Sequence, residues 1–287
     1  MPFRQPWQGL THRQATIVSG PVGFGEISPL PGFPCDPSLC RRSAEEASHV
    51  GWPPPVRRQI PVNALIAAVP ADEAATAALD AVRQGIGCLK IKVGTDDDLA
   101  RVSAVRNAVG PGVKIRVDAN GAWDLDTARR RLRALARYDL ELAEQPVASL
   151  EDLAELRRLV DVPLAADEAV RDLDDARRLV RLEAADALVV KVQPLGGVRA
   201  ALEVVEVVGL PVIVTSMLET SVGLAAGVAL AAALADLPFA CGLATATLLA
   251  ADITTEPLVA RRGMLDVRPV VPDTALLERY SVSPGSR

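Results

Sequence analysis

Eight short apolar runs, separated by seven longer runs of helical periodicity, occupy most of the chain from Gln59 onward. The pattern predicts strands over 61–69, 88–93, 113–118, 140–143, 163–166, 187–190, 212–216 and 239–243. It predicts helices over 71–84, 96–108, 125–136, 150–160, 173–182, 198–208 and 222–234. Strict alternation of this kind builds β/α units around a parallel sheet. Eight units in so short a span fit a closed barrel better than an open sheet. The punctuation agrees: Asp124, Ser149 and Asp172 stand where helix N-caps belong, and Gly85 and Gly209 stand at helix ends.

The flanks are different. Residues 15–18 read as a strand, and the glycine-rich turn Gly20-Pro21-Val22-Gly23-Phe24-Gly25-Glu26 leads into a second. Pro29, Pro31, Pro34 and Pro37 interrupt regular structure. Residues 41–50 read as a short helix, and Trp52-Pro53-Pro54-Pro55 as a stiff linker. After Leu243 the rhythm fades among Pro257, Pro269 and Pro272. The expected organisation is an α/β fold, a closed (β/α) barrel with a small α+β unit. Residues 1–58 form the N-terminal part of that unit, 59–250 the barrel, and 251–287 a segment that returns to pack on it.

Composition removes several classes. With 287 residues, 49% of them hydrophobic, the chain can bury a sizeable core. A net charge of -5, with 3% aromatics and no basic run, gives nucleic-acid binding little support. Cys35, Cys40, Cys88 and Cys241 are scattered, so free thiols in a reducing cytoplasm are expected rather than a zinc site. The N-terminus lacks an apolar core, so no signal peptide is expected. The apolar stretch 222–234 is too short for a membrane span and reads as a buried helix. Oligomeric state has no signature here.

In Leu89-Lys90-Ile91-Lys92-Val93 the two lysines share one face of a strand. An isolated Lys-x-Lys is most often a solvated sheet face. Two partly desolvated ammonium groups also lower lysine pKa values, which poises a lysine for proton transfer. The other strand ends decide between the two. In a (β/α) barrel the active site lies at the C-terminal ends of the strands. There the sequence places Lys92, Asp118, Glu144, Asp167 and Lys191, at intervals of 26, 26, 23 and 24 residues. Each interval is one β/α unit. Three carboxylates converging on one cavity need a cation. With no histidine or thiolate nearby the donors are all oxygen, which favours Mg²⁺, with Mn²⁺ next, over zinc. His12 and His49 lie outside the barrel, so proton transfer falls to Lys92 and Lys191.

At these residues the chain resembles the enolase superfamily, and within it the muconate-lactonising-enzyme-like group. The longer runs resemble the o-succinylbenzoate synthase family in its short actinobacterial form. They are Gly20 to Pro29, Ile60-Pro61-Val62-Asn63-Ala64, Asp118-Ala119-Asn120-Gly121-Ala122-Trp123, Leu195-Gly196-Gly197-Val198 and Met217-Leu218-Glu219-Thr220-Ser221-Val222-Gly223. The resemblance implies a (β/α)7β TIM-like barrel with a small α+β capping domain built from both chain ends. It implies Mg²⁺ on Asp118, Glu144 and Asp167, with Glu168 as the alternative to Asp167. The implied reaction is a dehydration in menaquinone biosynthesis, by α-proton abstraction and an enediolate. Lys92 would take the proton and return it to the departing hydroxyl, Lys191 would stabilise the enediolate, and Lys90 would tune Lys92. Lys90, Asn120, Ser216, Met217 and Leu218 are the implied substrate contacts. Gly196-Gly197 reads either as a plain loop pair or as an anion site for the succinyl tail. Phe24 and the proline-rich loop after it read either as a closing flap or as surface packing. An N-acylamino acid racemase or dipeptide epimerase would use the same lysine pair, and is the alternative.

Overall fold

A computed structural model describes residues 1–7 and 9–282. Two antiparallel hairpins open the chain: β1 (Pro2–Trp7) with β2 (Leu10–His12), and β3 (Thr16–Ser19) with β4 (Phe24–Ile27). Helix α1 (Pro37–Glu45) comes next and ends in a π turn over Glu46–Val50. It starts earlier than the sequence predicts. Pro37 does not interrupt structure but takes the first helical position, where its missing N–H costs nothing, and Asp36 caps Ser38 N.

Strand β5 (Gln59–Pro61) leads into the barrel. Its strands and helices are β6 (Ala64–Ile66), α2 (Ala71–Arg83), β7 (Cys88–Lys92), α3 (Asp98–Val109), β8 (Lys114–Asp118), α4 (Leu125–Leu135), β9 (Leu140–Glu144), α5 (Leu150–Arg157), β10 (Leu164–Ala166), α6 (Leu173–Leu182) and β11 (Ala187–Lys191). A short α7 (Val192–Leu195), α8 (Val198–Val208), β12 (Val212–Thr215) and α9 (Ser221–Ala233) complete the run. Strands β6 to β12 form one parallel sheet in sequential order. The eighth position has only two residues of bridge: Cys241 pairs with Val62 and Gly242 with Thr215, which closes the curl. Asp124, Ser149 and Asp172 each accept a backbone N–H at a helix start, as the sequence predicts. Gly209 ends α8 in the left-handed region. Helix α9 is buried along almost its whole length, and no helix among the described residues is long and apolar enough to cross a membrane.

Alternation divides the core in two. Leu89, Ile91, Ile115, Val117, Leu188 and Val190 face outward and pack under the helices. Leu142, Ala165, Ala187, Val189 and Ile213 fill the barrel interior. Arg116 joins them inside, fully buried, with Nε donating to Glu141 at 2.5 Å and Nη1 to Ala240 O at 2.8 Å. A buried guanidinium needs such partners, because an unpaired charge there would cost several kcal/mol.

The end of the barrel and the segment after it reach back to earlier parts of the chain. Leu249 bridges Phe3 of β1, and Ala250 N donates to Pro2 O. Further on, β13 (Met264–Asp266) pairs with β5, and α10 (Thr274–Tyr280) lies beyond it.

Candidate active site

The register explains why five residues so far apart in sequence meet. Lys92 pairs with Asp118, and Asp118 with Glu144. Glu144 then pairs with Ala165, which puts Asp167 two residues higher, and Ala165 pairs with Ala187, which puts Lys191 two higher again. Four residues of climb over four strand steps is one per strand. That is the stagger an eight-position barrel of shear 8 requires for side chains to share one level. Register sets the common level, while the uneven intervals in sequence follow helix and loop lengths.

All five side chains turn inward and their polar atoms meet. Lys90 Nζ lies 2.6 Å from Glu144 Oε1 and 2.9 Å from Asp118 Oδ2. Lys92 Nζ lies 2.6 Å from the same Asp118 oxygen and 2.6 Å from Asn120 Oδ1. Lys191 donates to both oxygens of Asp167. Asn120 links the two sides by donating from Nδ2 to Glu168 Oε1 at 2.8 Å. Its backbone sits at φ 47, a left-handed conformation that asparagine tolerates better than most residues.

The electrostatics correct one expectation. Like charge and partial desolvation were expected to push lysine pKa values down. Burial does work against the Lys90 ammonium, but the charges of Asp118, Glu144 and Asp167 outweigh it and hold Lys90 protonated well above the ordinary lysine range. Burial likewise opposes the Lys191 ammonium, and Asp167, Glu168 and Glu144 overcome it, so its pKa also rises. Burial lifts the Glu144 carboxyl to about 7, helped by Asp118. Asp118 is held below the usual carboxylate range: desolvation opposes this, but Lys90 and Lys92 together win.

A cavity of about 750 Å³ opens over this cluster. Lys90, Lys92, Asp118, Asn120, Asp167, Glu168, Lys191, Ser216 and Leu218 reach it. Met217 does not: its side chain is buried, its N–H donates to Glu219 and its carbonyl accepts from Arg13. Phe24 does not either, since it packs in a separate apolar hollow with Trp52 and Val222. The proline-rich loop does reach the cavity, through Leu30, Pro31, Gly32 and Phe33, and the Phe33 ring centre lies 4.6 Å from Lys191 Nζ. The Gly196-Gly197 amides are not open to a ligand: Gly196 N donates to Gln193 O and Gly197 N to Val192 O, both at 3.1 Å. Glu46 from the π turn already accepts from Val198 N at 2.7 Å and Arg199 N at 3.3 Å.

Two further contributors escaped the sequence reading. Gln145, buried at φ 38, accepts from Asp167 N at 2.7 Å and Ala169 N at 3.3 Å, and so shapes the turn that carries Asp167 and Glu168. Arg4 lines the cavity from β1, anchored by Nε to Thr247 O at 2.9 Å. The glutamine comes directly after Glu144 in a Glu-Gln-Pro run, which was the available signal. Arg4 had none.

The profile of the family described as enolase C-terminal domain-like matches residues 73–273. The chain belongs to that family. A curated o-succinylbenzoate synthase from Thermobifida fusca (strain YX) is 48% identical over 296 residues, spanning 100% of this chain and 91% of that protein. One from Mycobacterium marinum (strain ATCC BAA-535 / M) is 42% identical over 295 residues, spanning 100% and 88%. The solved structure of a muconate lactonizing enzyme from Pseudomonas fluorescens, complexed with muconolactone, superposes with a TM-score of 0.79. It is 27% identical and covers 85% of this chain and 73% of that one. Members of the enolase family generally use a divalent metal ion.

The residues present fit such an ion by their chemistry. Asp118, Glu144 and Asp167 come from three adjacent strands, the donors are all oxygen, and Glu144 Oε2 is buried with no hydrogen-bond partner. Glu168 Oε2 is in the same condition. As the side chains lie, lysine ammonium groups pair with the carboxylates. No three acidic, histidine or cysteine side chains among the described residues gather into one ion cluster.

Proposed function

We propose that this chain is an o-succinylbenzoate synthase. It is a lyase that removes water from 2-succinyl-6-hydroxy-2,4-cyclohexadiene-1-carboxylate to leave 2-succinylbenzoate, within menaquinone biosynthesis. One observation carries the reading: Lys92 and Lys191 top the second and sixth strands of one barrel, with three carboxylates between them, in a chain that matches synthases end to end.

Asp118, Glu144 and Asp167 are the proposed holders of Mg²⁺. When bound, the ion supplies the positive charge that offsets the electron density gathering on the substrate carboxylate as the α proton leaves. The remaining work falls to the chain. Lys92, fixed at the cavity wall by Asp118 and Asn120, takes the α proton and returns it to the departing hydroxyl. Lys191 faces it from the sixth strand and adds positive charge to the same developing anion. Lys90 is bonded to two carboxylates and serves to position them. The substrate's second carboxylate needs its own partner. Arg4 is the one cation lining the cavity outside the lysine cluster among the described residues, and its two terminal nitrogens are the proposed donors.

The test is a direct assay with the cyclohexadiene substrate. Lys92→Ala is expected to lose about 10²- to 10⁴-fold in turnover, with an unchanged far-ultraviolet circular dichroism spectrum. Near-native turnover would refute the role of Lys92. Racemisation and solvent exchange of an N-succinylamino acid in D₂O, without any dehydration, would replace the synthase with an N-acylamino acid racemase.

A further inference from the structure

Two thiols stand beside the site without belonging to it. Cys35 and Cys40 are only five residues apart, and α1 begins between them. Their sulfur atoms lie 3.0 Å apart, inside ordinary van der Waals separation. Cys35 is partly exposed at the end of the loop that bears Phe33, whereas Cys40 is fully buried in α1. Neither has a role in the reaction proposed above.

Both sides of this pair lead to Lys191. Upstream, Phe33 lies over the Lys191 ammonium, and Leu30, Pro31 and Gly32 line the same cavity. Downstream, Leu39 packs on Gly196, and Arg42 Nε donates to Gly196 O at 3.1 Å. Glu46 caps the start of α8. Helix α1 is thus fixed to the segment just past Lys191, while the loop before it rests on Lys191 itself. A covalent link between Cys35 and Cys40 would tie the loop to the fixed helix.

We propose that Cys35 and Cys40 form a two-electron thiol switch, oxidised by a hydroperoxide, that pins the Phe33 loop over Lys191. The chemistry balances. The Cys35 thiolate attacks one peroxide oxygen, the O–O bond breaks, and the sulfur becomes a sulfenic acid as the other oxygen leaves and takes a proton. Cys40 then attacks the Cys35 sulfur and gives up its proton. The S–S bond forms, the S–O bond breaks, and water leaves. Overall, two thiols and one hydroperoxide give one disulfide, one alcohol (water, for hydrogen peroxide) and one water. The order of attack is set by the surroundings. Cys35 is the partner a hydroperoxide can reach; the hydrogen bond between the two sulfurs holds its thiol below its ordinary range, and that bond and burial keep Cys40 above its own. Closing the bond needs the sulfurs to approach by only about 1 Å, toward the usual disulfide length.

Hydrogen peroxide titration of the full chain tests this, read three ways. Peptide mass spectrometry is expected to show a loss of two hydrogens in a peptide joining Cys35 to Cys40. Hydrogen exchange over residues 30–36 is expected to slow by about tenfold or more. Turnover is expected to fall at least threefold and to recover with dithiothreitol. Cys35→Ser, a change at the exposed partner that should leave the fold intact, is expected to abolish all three responses. Absence of the 35–40 bond overturns the proposal. So does a bond that leaves both exchange and turnover unchanged, or a loss of turnover that persists in Cys35→Ser. The mass and exchange readouts do not depend on the reaction proposed, so failure of the synthase reading and failure of the switch remain distinguishable.

Discussion

At the scale of single residues, the site works because each charge has a counter-charge from a different strand. Lys90 bridges Asp118 and Glu144, Lys92 shares Asp118, and Lys191 takes Asp167. Glu144 is buried, with one oxygen on Lys90 and the other unpartnered. Glu144→Gln keeps the volume and one oxygen to accept from Lys90, but replaces the other with an amide donor and removes the charge. Calorimetry is expected to show Mg²⁺ binding weakened at least about tenfold, or 1.4 kcal/mol. Arg4 tests the other end of the substrate. Arg4→Met keeps the apolar stem, so steady-state kinetics should show KM raised about tenfold with kcat little changed, as for a contact made equally in ground and transition states. A fall in kcat alone would argue that Arg4 acts elsewhere. Lys92, Asp118, Glu144, Asp167 and Lys191 were legible in the sequence because barrel geometry fixes their phase. Arg4 was not, because its place at the cavity depends on how β1 docks against residues 247–250.

At the scale of elements, the short cap is held to the barrel by α1. The start of α8 is a helix N-terminus, which sequence reasoning offers to any anion. The protein supplies its own in Glu46, from the π turn that ends α1. Gly197 is required there: it sits at φ +131, and a Cβ on it would stand 2.0 Å from Glu46 Oε2. Gly197→Ala is expected to cost roughly 1–3 kcal/mol in denaturant unfolding. Glu46→Ala in the same background should relieve the clash, so the two changes should be less than additive. Full additivity would show that the glycine answers only to its own backbone. The same elements show where helix starts are readable. Asp124, Ser149 and Asp172 cap their own helices and can be read from local sequence. Glu46 lies 152 residues from the amide it caps.

At the scale of the whole molecule, the joint between cap and barrel is a buried polar network. Glu26 on β4 accepts from Ser28 Oγ at 2.7 Å, Gly223 N at 3.0 Å and the Thr220 hydroxyl at 2.5 Å. Gln193, just past Lys191, accepts from Ser28 N and donates to Ser28 Oγ. Burial lifts the Glu26 carboxyl from 4.5 to about 7, against the opposing hydrogen bonds from Thr220 and Ser28. A carboxyl raised on folding binds its proton more tightly in the native state. Its contribution is present below the unfolded pKa and is lost as pH rises through about 7. Thermal unfolding is therefore expected to show a destabilising step of up to about 3 kcal/mol between pH 4.5 and 7, at 1.36 kcal/mol per unit. Glu26→Gln should shrink the step, leaving the share of Glu144, whose carboxyl is lifted over the same range. A step undiminished in Glu26→Gln would assign the effect to another group.

Local sequence was enough to specify the parallel β/α order, the helix caps, and the phase of five charged residues around a barrel. Period, turn chemistry and unit length are local properties, and shear converts them into a common level. Tertiary contacts settled the rest. They reduced the eighth strand to Cys241 and Gly242, and paired Lys90 with carboxylates that raise its pKa instead of lowering it. They gave the α8 amides to Glu46, and brought Phe33 and the Cys35–Cys40 pair beside Lys191. Each of these depends on contacts between segments far apart in sequence. Local pattern carries no record of them, because their energies arise only once the cap has closed on the barrel.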